Sequence, residues 1–283
     1  MRFRDYRRKI INVVMLSLTG LCALASVSVL FFVLGYLFVH GFKALSWDFF
    51  TKLPAPVGES GGGMANAIIG SAKLLLIALL SGVPVGLIAG IYLAEFSGKT
   101  FGFTVRYVAD LLNGVPSIVM GIFIYTVIVL PMHHFSALAG GLALGAMLVP
   151  IVLRSTEDFL RAVPRSLREA ALALGASRWK AIATVVIPAA GRGITTGVLL
   201  ALARVAGETA PLLFTSFQSQ YWSQGFNQPT ASLPVMIYTY AISPYENWHR
   251  QAWAAGFILL MLVLVANIGA RLILSRRASP ARG

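Results

Sequence analysis

Six runs of roughly 20 or more apolar residues divide this 283-residue chain, and nothing else in it limits the fold so tightly. A helix rises about 1.5 Å per residue, so about 20 residues cross the roughly 30 Å hydrocarbon layer of a bilayer. The runs occupy 11–38, 66–94, 107–130, 136–156, 194–214 and 251–273. Only 12% of the residues are charged, against about 25% in an average soluble domain. A surface facing water could not be covered with so few. The expected fold is therefore all-α, a polytopic transmembrane helical bundle of six spans. The first run, Ile10 to Val39, far exceeds the roughly 7–15 apolar residues of a signal peptide and reads as a retained span. Between the third and fourth runs stand only Pro131, Met132, His133, His134 and a few neighbours, so the two could fuse into one bent element, but their combined length argues for two spans.

The net charge of +13 would raise the question of nucleic acid in a soluble protein. Here the basic residues flank the apolar runs and act as topology signals. Arg2, Arg4, Arg7, Arg8 and Lys9 precede the first run, Lys99 and Arg106 follow the second, seven lie from Arg154 to Arg192, and Arg271, Arg276, Arg277 and Arg282 close the chain. The opposite loops hold only Lys43, Lys52 and Arg250. Positive residues stay on the cytoplasmic side, so both termini are expected there.

The short run Leu233 to Ile242, bounded by Pro234 and Pro244, cannot span; it reads as a re-entrant turn or an interfacial helix. Trp222, Trp248, Trp253, Tyr221, Tyr238, Tyr240 and Tyr245 fit the aromatic belt of a lipid boundary. Cys22, the only cysteine, forms no intrachain disulfide. Neither it nor the adjacent His133 and His134 builds a metal cluster. Ser155, Thr156, Glu157 and Asp158 lie at a helix end and read as solvent-facing polar residues rather than as the constellation a membrane enzyme such as a lipid phosphotransferase needs.

The second run carries Gly82, Pro84, Gly86 and Gly90, and the third contains Asn113-Gly114-Val115-Pro116. Small residues let helices approach closely in lipid, and prolines bend them. Within the fifth run Arg204 and Glu208 are spaced to share a helix face and pair. Charges inside a membrane are expensive and either form a static ion pair that fixes helix packing or mark a pathway; the planar donors of Arg204 suit an oxyanion and favour the pathway.

The loop from Val163 to Ala190 reads VPRSLREAALALGASRWKAIATVVIPAA. Ser166 and Glu169 have capping-box spacing, Gly175 stands where a helix would end in a left-handed turn, Ser177 is placed to cap a second helix, and Pro188 to close the segment. A helix–turn–helix exposing small side chains follows, built either to dock a partner or to rest in the headgroups.

Glu169-Ala170-Ala171, then Gly175, Val185 and Ile187-Pro188 resemble the EAA loop of ABC-importer membrane subunits. The sequences Arg204-Val205-Ala206-Gly207-Glu208-Thr209-Ala210-Pro211-Leu212-Leu213-Phe214-Thr215 and Asn113-Gly114-Val115-Pro116-Ser117-Ile118-Val119-Met120-Gly121 resemble signatures of one branch, the PstA family of phosphate-specific importers. The resemblance implies a permease subunit in the bacterial cytoplasmic membrane that moves phosphate inward. Its implied partners are a PstC-like permease, two copies of a PstB-like ATPase holding ATP and magnesium, and a periplasmic phosphate-binding protein. It also implies Arg204 and Glu208 in the substrate pathway, and Glu169, Ala170, Ala171 and Gly175 at the ATPase contact. The chain itself lacks a phosphate-binding P-loop: Gly58-Glu59-Ser60-Gly61-Gly62-Gly63 has no Gly-Lys-Ser/Thr ending. The expected organisation is a tail, first span and outer loop at 1–62, a transporter domain at 63–275 containing the coupling loop 163–190, and a tail at 276–283. Sulfate, molybdate or an organic acid would suit an arginine equally well. A gradient-driven anion transporter is the other alternative, but it leaves the 169–188 pattern without a role.

Overall fold

The computed structural model describes residues 2–57, 59 and 61–277, and its regular structure among them is entirely helical. The helices are α1 (Arg2–Ala44), α2 (Trp47–Thr51), α3 (Ala65–Glu95), α4 (Lys99–Gly114), α5 (Ser117–Ile124), α6 (Leu130–Met132) and α7 (Ala137–Ala162). They continue as α8 (Arg165–Ala173), α9 (Arg178–Ala181), α10 (Ile187–Ala206), α11 (Ala210–Thr215), α12 (Leu233–Ala241) and α13 (Glu246–Arg277). Wider π-turns join α5 to α6 at Tyr125–Val129 and α9 to α10 at Ile182–Val186. Most of the expected tail 276–283 lies outside the described residues.

Among the described residues, five helical stretches are long and apolar enough to cross a bilayer; the pair Lys99–Gly114 and Ser117–Met132, bent by 101°, makes a sixth if taken as one span. The expected span 107–130 is thus a broken one, its bend at Val115–Pro116 sharper than a kink within one helix. Val115 adopts an extended conformation before Pro116, as the ring of a following proline requires. The expected span 194–214 is corrected, because its helix begins earlier and stops at Ala206, before the break at Gly207–Thr209. Pro188 does not close the loop. It sits in the first turn of α10, and the preceding π-turn absorbs its missing N–H, so the helical path from Arg178 to Ala206 stays continuous.

The bundle is organised around α7, which packs against α3, α4, α5, α10 and α11. Its seam with α3 is the tightest. A Cβ on Gly82 would stand 2.5 Å from the Gly145 carbonyl oxygen, one on Gly86 2.7 Å from Val152 Cβ, and one on Gly90 2.7 Å from the Leu153 carbonyl oxygen. Glycines four residues apart align on one helix face, and between lipid-embedded helices this closeness supplies the dispersion contact that water would otherwise enforce. Leu74, Ala78, Leu144, Leu148 and Val152 extend the seam, and Ala201 and Val205 join it from α10. Peripheral α1 meets α13 near its end, where Tyr36 contacts Trp253 and Phe38 and Phe42 contact Phe257.

At the opposite end from the α8–α9 loop, α12 is buried against α3 and α13, unlike a helix lying in headgroups. Tyr240 departs from the expected belt, being buried and stacked on Trp248 at 4.2 Å. Nor do Thr156 and Glu157 face solvent: each is 1% exposed. Glu157 receives Arg106 at 2.6 Å, Arg161 at 2.8 Å and Arg154 at 3.2 Å, and Arg154 also meets Asp110 at 3.0 Å. One buried carboxylate thereby pins α4 to α7.

Gly82→Val should lower the stability of the solubilised protein by about 1–3 kcal/mol, since backbone cannot yield to the added methyls. Gly191→Ala, with nothing within 4 Å of the new Cβ, should leave it unchanged or raise it. Thermal unfolding of the two variants side by side measures the contrast.

Candidate functional site

Two features stand out by chemistry, an arginine in the middle of the bundle and a helical loop at its basic end. Arg204 occupies the last turn of α10. Beside it a small cleft is walled by Ala146, Met147, Pro150 and Ile151 of α7 and by Asn113, Val115 and Met120 around the α4–α5 break. Those α7 residues are halfway along a helix of 26 residues, about 39 Å long. Arg204 therefore lies near mid-depth.

Both helix interruptions meet at this level. Gly121 of α5 abuts α11, where an added Cβ would stand 2.6 Å from Pro211 Cα. The segments 113–121 and 204–215 are thus neighbours. The first turn of α5 receives no side-chain cap, which leaves backbone N–H groups turned toward the break. Broken helices at membrane depth are tolerated where they line protein or a cavity, and their free N-termini favour anions.

The expected pairing of Arg204 with Glu208 is not made. The α10 helix ends at Gly207, so the four-residue spacing no longer places both on one helical face. Among the described residues, the side chains of Arg204 and Glu208 enter no ion pair. Arg204 is exposed and Glu208 half-buried. An exposed guanidinium at mid-depth has to face something polar, because lipid would penalise it.

In the loop, α8 starts behind Pro164 rather than Ser166, so the capping box is absent; Ser166 falls inside the first turn. Its other end forms as expected. Gly175 has φ +81°, its N–H donates to the Leu172 carbonyl at 2.9 Å, and the Ala176 N–H donates to the Ala171 carbonyl at 3.1 Å. This pair of bonds is the Schellman closure of a helix. Ser177 caps α9 by accepting from the Lys180 N–H. Glu169, Ala170 and Gly175 are exposed, whereas Ala171 is the buried residue of α8. At the tip Leu174 is 89% exposed, with Leu172 and Trp179 exposed nearby.

Arg168 ties this loop to the bundle. Its guanidinium donates to Glu95 Oε1 at 2.8 Å at the end of α3, and to the Leu160 and Val163 carbonyls at 2.7 and 3.0 Å at the end of α7. Carbonyls at a helix C-terminus carry partial negative charge, so one cation satisfies two helices. Arg178 reinforces the joint by donating to the Glu95 carbonyl and lying 5.1 Å over the Phe96 ring. Sequence reasoning passed over Glu95, Arg168 and Leu174. A lone acid ending an apolar run was the only trace of the first.

A family model described as binding-protein-dependent transport system inner membrane component matches residues 82–279. The phosphate transport system permease protein PstA of Yersinia pestis is 48% identical over 238 residues, 84% of this chain and 81% of the relative. That of Xylella fastidiosa is 45% identical over 278 residues, 97% of this chain and 96% of the relative. The chain belongs to the PstA family. Among solved structures, the inward-facing MetNI methionine ABC transporter superposes with a TM-score of 0.62 at 18% identity, covering 75% of this chain and 96% of that one. A bacterial ABC transporter importing alginate gives 0.59 at 15%, covering 76% and 79%. At such identities the superposition establishes the ABC-importer permease fold alone, the frame in which the PstA family's loop and broken helices sit.

Arg168→Ala should free the α8–α9 loop, leaving Glu95, 8% exposed, without its cation. Hydrogen exchange should rise across 165–181 while the α3–α7 seam stays protected; unchanged exchange in the loop would remove the clamp.

Proposed function

We propose that this chain is the permease subunit of an ATP-driven importer carrying inorganic phosphate from periplasm to cytoplasm. The observation that carries the reading is Arg204, exposed and in no ion pair among the described residues, at mid-depth beside the α4–α5 break and just before the break that ends α10. Its planar donors match the oxygens of a tetrahedral oxyanion, and the uncapped α5 N-terminus adds positive potential. A guanidinium alone would accept sulfate or molybdate as readily. Phosphate is favoured by the names of the PstA relatives. Glu208, which follows the break after Arg204, would accept a hydrogen bond from a monoprotonated anion or hold the arginine when the pathway is empty.

On this reading the α4–α6 pair counts as one broken span, giving six, with both termini and the α8–α9 loop in the cytoplasm of a bacterial inner membrane. Residues 63–275 form the transporter domain behind an N-terminal span and loop. A PstC-like subunit completes the pathway, a periplasmic binding protein delivers the anion, and two PstB-like ATPases hold the ATP and magnesium. The ATPase docks on Glu169, Ala170 and Gly175, with the Leu174 tip as its apolar anchor, while Ala171 seats the loop from below.

Arg204→Ala should reduce ATP-driven phosphate uptake by roughly 10–100-fold, the value of one charge-assisted hydrogen bond. The test uses the assembled complex in proteoliposomes without an ion gradient. Retained uptake would make Arg204 a packing residue, and wild-type uptake that needs a gradient would sink the ATP-driven reading. Gly175→Val, forced to φ +81°, should cost about 1–3 kcal/mol at the turn. Pull-down of the ATPase should weaken while membrane insertion persists.

A further inference from the structure

Behind the α8–α9 loop, between it and the ends of α3 and α7, lies a cavity of about 560 Å³ lined by Arg161, Arg165, Arg168, Arg178, Glu95 and Glu169. Four guanidinium groups face two carboxylates, leaving an excess of two positive charges. Pairing narrows the free charges of the wall to Arg165 and Arg178 against Glu169, an excess of one positive charge. Glu95 is consumed by Arg168, and Arg161 leans away onto Glu157. Arg178 spends donors on a neutral carbonyl, and Arg165 forms no ion pair among the described residues. Arg165 also opens α8, whose first turn carries no acid and whose cap, Pro164, offers no side-chain acceptor. A cation at the positive end of a helix is unfavourable on its own. Both the side chain and the helix end call for an anion.

We propose that this cavity binds a phosphate-bearing anion, held chiefly by Arg165 and Arg178 and separate from the mid-depth cleft at Arg204. The inference rests on the cytoplasmic assignment of the loop made above. Two sources share the chemistry, free inorganic phosphate on the cytoplasmic side and the headgroup of an acidic phospholipid at the membrane surface. Arginine forks suit either one. The cavity is recessed behind the loop, while Leu174 and Gly175, which do not line it, form the outward tip. Its occupant therefore sits between loop and bundle, where it would stiffen the Arg168–Glu95 joint.

Phenylglyoxal labelling of individual arginines, read by mass spectrometry on the assembled transporter in nanodiscs, tests the site. In phosphatidylcholine discs, inorganic phosphate at about ten times its Kd should slow labelling of Arg165 and Arg178 by roughly tenfold, following 1 + [L]/Kd, and leave exposed Arg192 unchanged. If phosphatidylglycerol in the disc gives that protection without added phosphate, the ligand is the lipid headgroup. Protection by neither overturns the proposal. So does equal protection in phosphate-free neutral discs that appears only when the ATPase is bound, since acidic side chains of the partner then fill the cavity. Arg204→Ala should keep the protection while losing uptake, which separates failure of this site from failure of the pathway reading.

Discussion

The close approach of α3 and α7 is the constraint on which the rest of the molecule leans. Lipid chains are as apolar as leucine, so helices in a bilayer gain little from burying leucine against leucine. What holds this pair is backbone proximity, made possible by Gly82, Gly86 and Gly90 on one side and Gly145 on the other. With α7 fixed in the centre, its middle becomes a wall of the cleft beside Arg204. One turn before its end, Glu157 gathers three arginines, and its final carbonyls receive Arg168. One strut thus serves the mid-depth site and the loop alike.

Interrupting a helix inside hydrocarbon leaves N–H and C=O groups that lipid cannot satisfy. Two interruptions at the same level, Val115–Pro116 and Gly207–Thr209, are therefore costly unless they face each other or a polar path. The closeness of Gly121 to Pro211 shows that α5 and α11, the helices that follow the two interruptions, pack on each other. The exposed side of Arg204, with Asn113 in the same cleft, supplies polar neighbours at this level.

Much of this was legible in the sequence because apolar length and residue pairs with fixed geometry are local properties. The spans around α3, α7 and α13, the left-handed turn at Gly175 and the Ser177 cap follow from residues a few positions apart. The misreadings share a physical cause. Hydropathy counts apolar residues and is blind to backbone direction, so it ran straight through Pro116 and Gly207. Helical spacing likewise placed Glu208 on the face of Arg204 because it presumed an unbroken helix. Glu157 looked solvent-exposed since its three arginines come from 51 residues upstream as well as from its own helix. Arg168 was one basic residue among seven until Glu95, 73 residues away, stood beside it. Long-range pairing is what sequence spacing leaves out.

The loop and the mid-depth site are joined by covalent structure. From Arg178 to Ala206 the chain is one helical path of 29 residues, about 43 Å at 1.5 Å per residue, with Lys180 and Trp179 at one end and Arg204 at the other. A packed helix transmits displacement along its axis far better than a loop does, because interiors at crystal-like density resist compression. The π-turn at Ile182–Val186 is the one place along that path where the hydrogen-bond register widens, and it lies directly after the loop. Meanwhile the other arm, α8, is anchored through Arg168 to α3 and α7. A push on the Gly175 turn would therefore divide. The α8 arm is held against the central strut by Arg168 and α9 is held to the end of α3 by Arg178, while the continuous α9–α10 path leads the remainder along its axis toward Gly207 beside Arg204.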